Sequence, residues 1–232
     1  MNTKIEHPER HRIEREVFPS HIEPQAQAIR EDELQKEVAL EIHQGLKLLR
    51  KHKLSATFYG SARHGMKEYY VAAQALAHRL SEVGFAIVTG GGDGVMGAAN
   101  KGAHKAGGPS IGLNIHLPME QRNNNFVTEE ITFEYFFTRK FMLALASEVY
   151  IFFPGGFGTL DELFDVLTLM QTKKIPLIPI FLFGKEFWQP LTEFIENSLC
   201  KEYQTISHED TGLYHIVDTV DDAYEMIIER VR

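Results

Sequence analysis

Between residues 54 and 232 the chain alternates two kinds of hydrophobic pattern. Short, nearly continuous apolar runs occur at Leu54–Tyr59, Phe85–Thr89, Pro109–Ile115, Val149–Phe153, Leu177–Leu182 and Leu213–Val217, and a shorter one at Ile131–Tyr135. Each reads as a strand buried on both faces. Between them lie segments with apolar positions three and four apart: Tyr69–Val83, a small-residue stretch through Ala98, Ala99 and Ala103, Thr138–Ser147, Leu163–Met170, Glu186–Leu199 and Val220–Val231. These read as helices. Strands that alternate with helices predict parallel βαβ units, hence an α/β, Rossmann-like doubly wound sheet with helices on both faces.

The first 53 residues follow another pattern. Residues 1–30 are rich in charge, with Pro8, Pro19 and Pro24 spread through them, and predict an arm with at most short structure. Leu34, Val38, Ile42, Leu46 and Leu49 recur at helical spacing, and Glu31, Asp32 and Glu33 stand where acids favour a helix start. A helix over 31–50 follows, packed on the main domain or on a partner subunit. The expected organisation is an arm and helix over 1–53 and a nucleotide-binding domain over 54–232.

Composition narrows the function classes. No apolar run is long enough to span a bilayer, and charge from Lys4 onward predicts no signal peptide. The single cysteine, Cys200, excludes an internal disulfide and fits a reducing cytoplasm. The net charge of −8 argues against general nucleic-acid binding, where phosphate neutralisation supplies most of the affinity. The 11 histidines show no metal-ligand spacing, so neither a metal nor a cofactor is expected.

The candidate chemistry lies in three glycine turns, each directly after a strand: Gly60-Ser61, Gly90–Gly97, and Gly155-Gly156-Phe157-Gly158-Thr159. In a parallel sheet all three lie at one edge, where backbone N–H groups and helix dipoles converge on an anion. No Walker lysine follows the glycines, which argues against ATP hydrolysis. Gly92-x-Gly94-x-x-Gly97 matches a dinucleotide fingerprint, but the next strand ends in Asn114-Ile115-His116 without the ribose-binding acid. NAD-dependent oxidoreduction is therefore a minor reading. Thr159 is placed to donate to a phosphate or to cap the helix. Asp161 and Glu162 follow within the same helix start; acids there stabilise the helix by about 0.3–1 kcal/mol. Glu162, however, would stand beside a bound anion, a like-charge cost that implies use. Arg139-Lys140, just before the third turn, is either solvated surface or a clamp on a phosphate or sugar. The polar loop Glu120–Asn125 is an inert turn or a lid.

Set side by side, these residues resemble the cytokinin-activating nucleoside 5′-monophosphate phosphoribohydrolases of the "Lonely guy" type, long mislabelled as lysine decarboxylases. The signature P-G-G-x-G-T-x-x-E is matched in full by Pro154–Glu162, and the R-K pair by Arg139-Lys140. The G-G-G-x-x-G-x-M-G turn is close to Gly90–Gly97, one residue shorter here. Gly60-Ser61 matches the first-strand turn, and Glu120–Asn124 resembles the E-Q-x-x-N loop. The resemblance spans about residues 54–230. It implies cleavage of an N-glycosidic bond, releasing free base and ribose 5-phosphate. The phosphate would sit on Gly156, Gly158 and Thr159, with Glu162 facing the ribose and Arg139 orienting substrate and carboxylate. Gly60, Ser61, Gly91, Gly92, Gly94, Lys140 and Gly155 complete the implied substrate-binding set. The resemblance also implies a homodimer or higher homo-oligomer. Lysine decarboxylation needs a pyridoxal phosphate Schiff-base lysine, and nothing marks one. A non-catalytic nucleotide or molybdenum-cofactor carrier of the same fold is the alternative.

Overall fold

A computed structural model describes residues 24–63, 65–116 and 124–231, with side chains from residue 31 onward. The expectations for the arm before residue 24 and for Glu120–Asn123 lie outside the described residues. The chain divides into units 1–41 and 42–232. In chain order the elements are α1 (Pro24–Leu49), β1 (Ser55–Tyr59), α2 (Lys67–Glu82), β2 (Ala86–Thr89), α3 (Gly94–Lys105), β3 (Ser110–Ile115), β4 (Glu129–Phe133) and α4 (Phe136–Ala144). There follow β5 (Val149–Phe152), α5 (Phe157–Gln171), β6 (Ile180–Phe183), α6 (Lys185–Phe194), β7 (His215–Val217) and α7 (Val220–Val231).

The seven strands form one sheet in the order β4-β3-β2-β1-β5-β6-β7, and every pairing is parallel. β1, β2, β3, β5 and β6 are buried along their whole length, which explains their nearly continuous apolar runs. The edge strand β4 alternates between half-buried and exposed positions instead, ending in the buried Phe133. Alternation across the pleat splits the core in two. Phe58, Ile87, Ile151 and Phe181 face α2, α3 and α7, whereas Tyr59, Val88, Tyr150 and Phe152 face α4, α5 and α6. Leu48, with Ile42 and Leu46, packs into the second of these cores. The small residues of α3 let it approach α2 closely: a side chain at Gly102 would strike the backbone of Gln74 and His78.

Several boundaries differ from the pattern. α1 begins at Pro24, not at residue 31, so residues 24–30 are helix and Glu31, Asp32 and Glu33 lie well inside it. Proline suits a first helical position because its missing N–H has no partner there. β6 starts only at Ile180, since Pro176 and Pro179 have no N–H to give a ladder. α6 passes into a π-helical turn over Ile195–Glu202, which extends the helical stretch beyond Leu199.

The strand order reverses at β1, whose neighbours are β2 and β5. Tyr59 stands level with Phe152 in the β1–β5 register. The two chains therefore leave the sheet at the same height, and the Ser61 N–H donates to the Pro154 carbonyl at 3.1 Å. A crevice opens there, at the place where ligands enter open α/β sheets.

Candidate active site in the crevice between β1 and β5

A cavity of about 660 Å³ fills this crevice, lined by Tyr59, Gly60 and Ser61 after β1, Gly90 after β2, Arg139 of α4 and the stretch Gly156–Glu162. Its floor comes from the third glycine turn. Gly156 is the N-cap of α5, with an extended backbone and no side-chain cap. The first intrahelical bond runs from the Leu160 N–H to the Gly156 carbonyl, 3.1 Å. The N–H groups of Phe157, Gly158 and Thr159 precede it and have no acceptor within the helix. Gly156 and Gly158 are exposed, and a Cβ on either would meet nothing within 4 Å. Thr159 folds over Gly155, where a Cβ would collide with its hydroxyl oxygen. Thr159 is thus not the helix cap, which leaves its hydroxyl to the crevice.

The helix begins at Phe157, so Asp161 and Glu162 fall in its second turn rather than its first. A dipole role at the helix start does not explain them. Glu162 is only 9% exposed. Burial pushes its carboxyl up to about 7, opposed by Arg139 and Lys140 and reinforced by Asp161 and Asp165. A carboxyl balanced near neutral pH in a cleft is the condition for proton transfer or for answering a developing cation.

Arg139 crosses above the ends of β2 and β3. Its Nε donates to the Leu113 carbonyl at 2.8 Å, and its guanidinium lies against Gly90, where a Cβ would overlap it. Burial lowers its pKa, while the carboxylate of Glu162 favours the charged form; a guanidinium stays protonated throughout. Lys140 turns the other way. Its Nζ pairs with Asp161 at 2.8 Å and with Asp165 at 3.8 Å, and it does not line the cavity among the described residues.

The second glycine turn shapes the crevice from behind. Gly91 and Gly94 adopt φ of +77° and +64°. A Cβ at Gly94 would strike the Ser61 carbonyl, and one at Gly60 would strike Val95. Gly91, Gly92 and Gly94 are buried; of this turn, Gly90 reaches the cavity. A buried polar chain holds the turn: Thr89 Oγ1 accepts from the Gly91 N–H at 2.9 Å and donates to Asn100 Oδ1 at 2.7 Å. Asn124 Nδ2 reaches the Gly91 and Gly92 carbonyls at 3.1 and 3.0 Å.

Two contributors escaped the motif reading. Tyr59 reads as the last residue of a core strand, yet it lines the cavity. Burial and the Glu162 charge hold its hydroxyl pKa well above the usual value, so it is a neutral group whose O–H points to the Leu143 carbonyl at 3.4 Å. Its period-two position on the same face as Val88 was the available signal. Met96, Ile115, Phe136 and Leu143 give the cavity an apolar wall, assembled from three elements, α3, β3 and α4. Among the described residues no group of three His, Cys, Asp or Glu side chains is placed to hold a metal ion, and no helix is long and apolar enough to cross a membrane.

Fold and crevice together define a Rossmann-like protein with an open helix N-terminus at the sheet's switch point. The family model described as "Possible lysine decarboxylase" matches residues 96–227, and the chain belongs to that family. Among its relatives is a probable cytokinin riboside 5′-monophosphate phosphoribohydrolase of Oryza sativa subsp. japonica, 34% identical over 61% of this chain and 58% of its own length. A cytokinin riboside 5′-monophosphate phosphoribohydrolase of Arabidopsis thaliana is 30% identical over 61% of this chain and 68% of its own. The chain thus spans about three fifths of the rice relative. In structure it is similar to the molybdenum cofactor carrier protein of Chlamydomonas reinhardtii, with TM-score 0.58 and 24% identity over 78% of this chain and 99% of the other. The molybdenum cofactor binding protein of Rippkaea orientalis has TM-score 0.56 and 22% identity over 77% and 96%. At that identity the likeness is one of fold.

Proposed function

We propose that the protein is a nucleoside 5′-monophosphate phosphoribohydrolase, of the AMP or cytokinin riboside monophosphate type, which hydrolyses the N-glycosidic bond to free base and ribose 5-phosphate. The observation that carries this reading is Glu162, a buried carboxyl near neutral pKa, next to the open N–H turn of α5 and facing Arg139. A phosphate at Phe157–Thr159 would set the ribose against Glu162. C1′ gains positive charge as the base leaves, and the carboxylate stabilises that charge or takes a proton from the attacking water. Arg139 orients the carboxylate and substrate. The apolar wall of Met96, Ile115 and Leu143 suits a flat base.

The names of the plant relatives support the reaction class. A carrier that never cleaves its ligand has no use for a buried carboxyl in opposition to an arginine. The test is base release from AMP, CMP, GMP, UMP and isopentenyladenosine monophosphate, with Glu162→Gln as control. Cleavage by the native chain alone supports the reading. No base from any of them, with nucleotide still bound in a calorimeter, would replace it with a carrier or sensor.

We further propose that the protein works as a homodimer or higher homo-oligomer and needs neither cofactor nor metal. Phe137, Phe141 and Leu145 around α4, with Phe157 and Phe164 of α5, are large apolar side chains exposed to solvent, Phe157 by 93%. Phe136 and Phe157 also line the cavity, so a second copy on this face would close it. Sedimentation of the protein at micromolar concentration tests this; a monomer would overturn it.

A further inference from the structure

Asn124 is buried, and its amide does more than close a loop. Nδ2 reaches the carbonyls of both Gly91 and Gly92, and Asn100 Oδ1 at 2.9 Å. Its backbone N–H donates to the Gly91 carbonyl at 2.9 Å, and its Oδ1 accepts from the Phe126 N–H at 3.1 Å. Asn100 in turn donates to Ser110 Oγ at 2.9 Å. The turn after β2 is thereby fastened at two successive peptides, from the side away from the cavity. One residue earlier, Gly90 presents a bare Cα to the cavity, and the Arg139 guanidinium rests on it. A single bond would close the loop. Bonds to consecutive carbonyls fix the orientation of the turn, and a fully satisfied buried network makes that orientation rigid.

We propose that Asn124 is a positioning residue, which sets the place of the Arg139 guanidinium by locking the Gly90–Gly92 turn beneath it. The proposal rests on the reading of Arg139 and Glu162 as the reacting pair. Asn124 does not line the cavity, so it acts through the turn. The groups facing Glu162 are Arg139 and Lys140 from α4, Asp161 and Asp165 on its own helix, and Tyr59 from β1. Arg139 is the foremost of those that favour its charged form. When Arg139 shifts away, the Glu162 carboxyl must titrate at higher pH.

The test is a carbon-13 NMR titration of the Glu162 carboxyl in the ligand-free protein, native against Asn124→Ala. It needs no turnover, so it stands even if no nucleotide is cleaved. The expected result is an upward shift of about one pH unit. Asn124→Ser, too short to reach both carbonyls, serves if the alanine variant does not fold. Gly90→Ala, which displaces Arg139 directly, is the positive control, and Ile227→Val, in the opposite core layer, controls for loss of stability alone. A shift in Gly90→Ala with none in Asn124→Ala or Asn124→Ser would overturn the proposal. In an active protein kcat should fall about tenfold or more, with KM within about threefold, since misplacement by ~1 Å costs rate before binding. Equal losses in Asn124→Ala and Ile227→Val would also overturn it.

Discussion

The guanidinium of Arg139 lies against the Cα of Gly90, so close that a methyl group there would occupy the place of one of its nitrogens. The glycine is required by the arginine, not by its own backbone, because Gly90 is not among the glycines with positive φ. Gly90→Ala should therefore drive Arg139 from its seat while the turn survives. We expect kcat/KM for nucleotide cleavage to fall about 10²-fold. Thermal unfolding should show a loss of no more than about 1–3 kcal/mol. Full activity in Gly90→Ala would remove Arg139 from the mechanism.

In the proposed reaction Glu162 sets the pH dependence of activity. Working as a carboxylate, it must be ionised, and its pKa of about 7 places that step in the neutral range. kcat/KM should rise with pH through about 7 and level off above it. A rate that instead falls across the same range would make Glu162 a proton donor.

The same carboxyl weakens the unliganded fold. Its ordinary value is 4.5, and its folded value is about 7. Between these the unfolded chain has lost its proton and the folded chain has kept it. Stability contributed at this site is therefore highest below pH 4.5, declines as pH rises to about 7 and is constant above. The cost at pH 8 is about 3 kcal/mol. Glu162→Gln should raise Tm at pH 8 by several degrees, with the gain shrinking towards pH 4.5. Identical gains at pH 4.5 and 8 would show that burial does not perturb the carboxyl.

The glycines of the proposed anion turn separate binding from folding. Gly156→Ala and Gly158→Ala add a methyl group that touches no protein atom, so stability should hold within about 1 kcal/mol of native. Their methyls project near the N–H groups proposed to hold the phosphate, and ribose 5-phosphate affinity should drop. Gly94→Ala is the opposite case. With φ of +64° and the Ser61 carbonyl in the way, it should lose stability outright. Calorimetric titration beside thermal melts reads both. Unchanged phosphate affinity in Gly156→Ala and Gly158→Ala would move the anion elsewhere.

Lys140 is held by Asp161 and Asp165 on the neighbouring helix. Lys140→Met should cost no more than about 1 kcal/mol of stability, the usual worth of such a half-exposed pair. Ribose 5-phosphate affinity should stay within about threefold. A loss of tenfold or more would make Lys140 a phosphate ligand that leaves its acid partners on binding.

The sheet was legible because its central strands are buried on both faces and leave unbroken apolar runs, as in Val149–Phe152. The turns were legible because glycine is needed where backbone must bend or face an anion. What local pattern could not carry was depth along a helix. Glu162 reads as part of a helix start until Phe157 is known to be the first helical residue. Nor could it carry contacts made across the fold. Asn124 meets Gly91 and Gly92 more than thirty positions away, and Tyr59 serves core and cavity from one ring, stacked on Phe152 at 4.4 Å. The start of α1 lay hidden because Pro24, which breaks a helix in its interior, opens one at a first position.

The central place of β1 bears on how the chain is made. Ala56 pairs with Ile87 on one side and with Val149 on the other. At the ribosome, that second edge stays bare until β5 has been synthesised, roughly 5–20 s later at ordinary elongation rates. For that time the unpaired edge of a strand that is buried in the finished fold is open to other nascent chains, the condition under which chaperones are recruited. The crevice has no existence in either half of the sheet alone, so newly made protein should gain its ligand only after β5 and the start of α5 have joined β1.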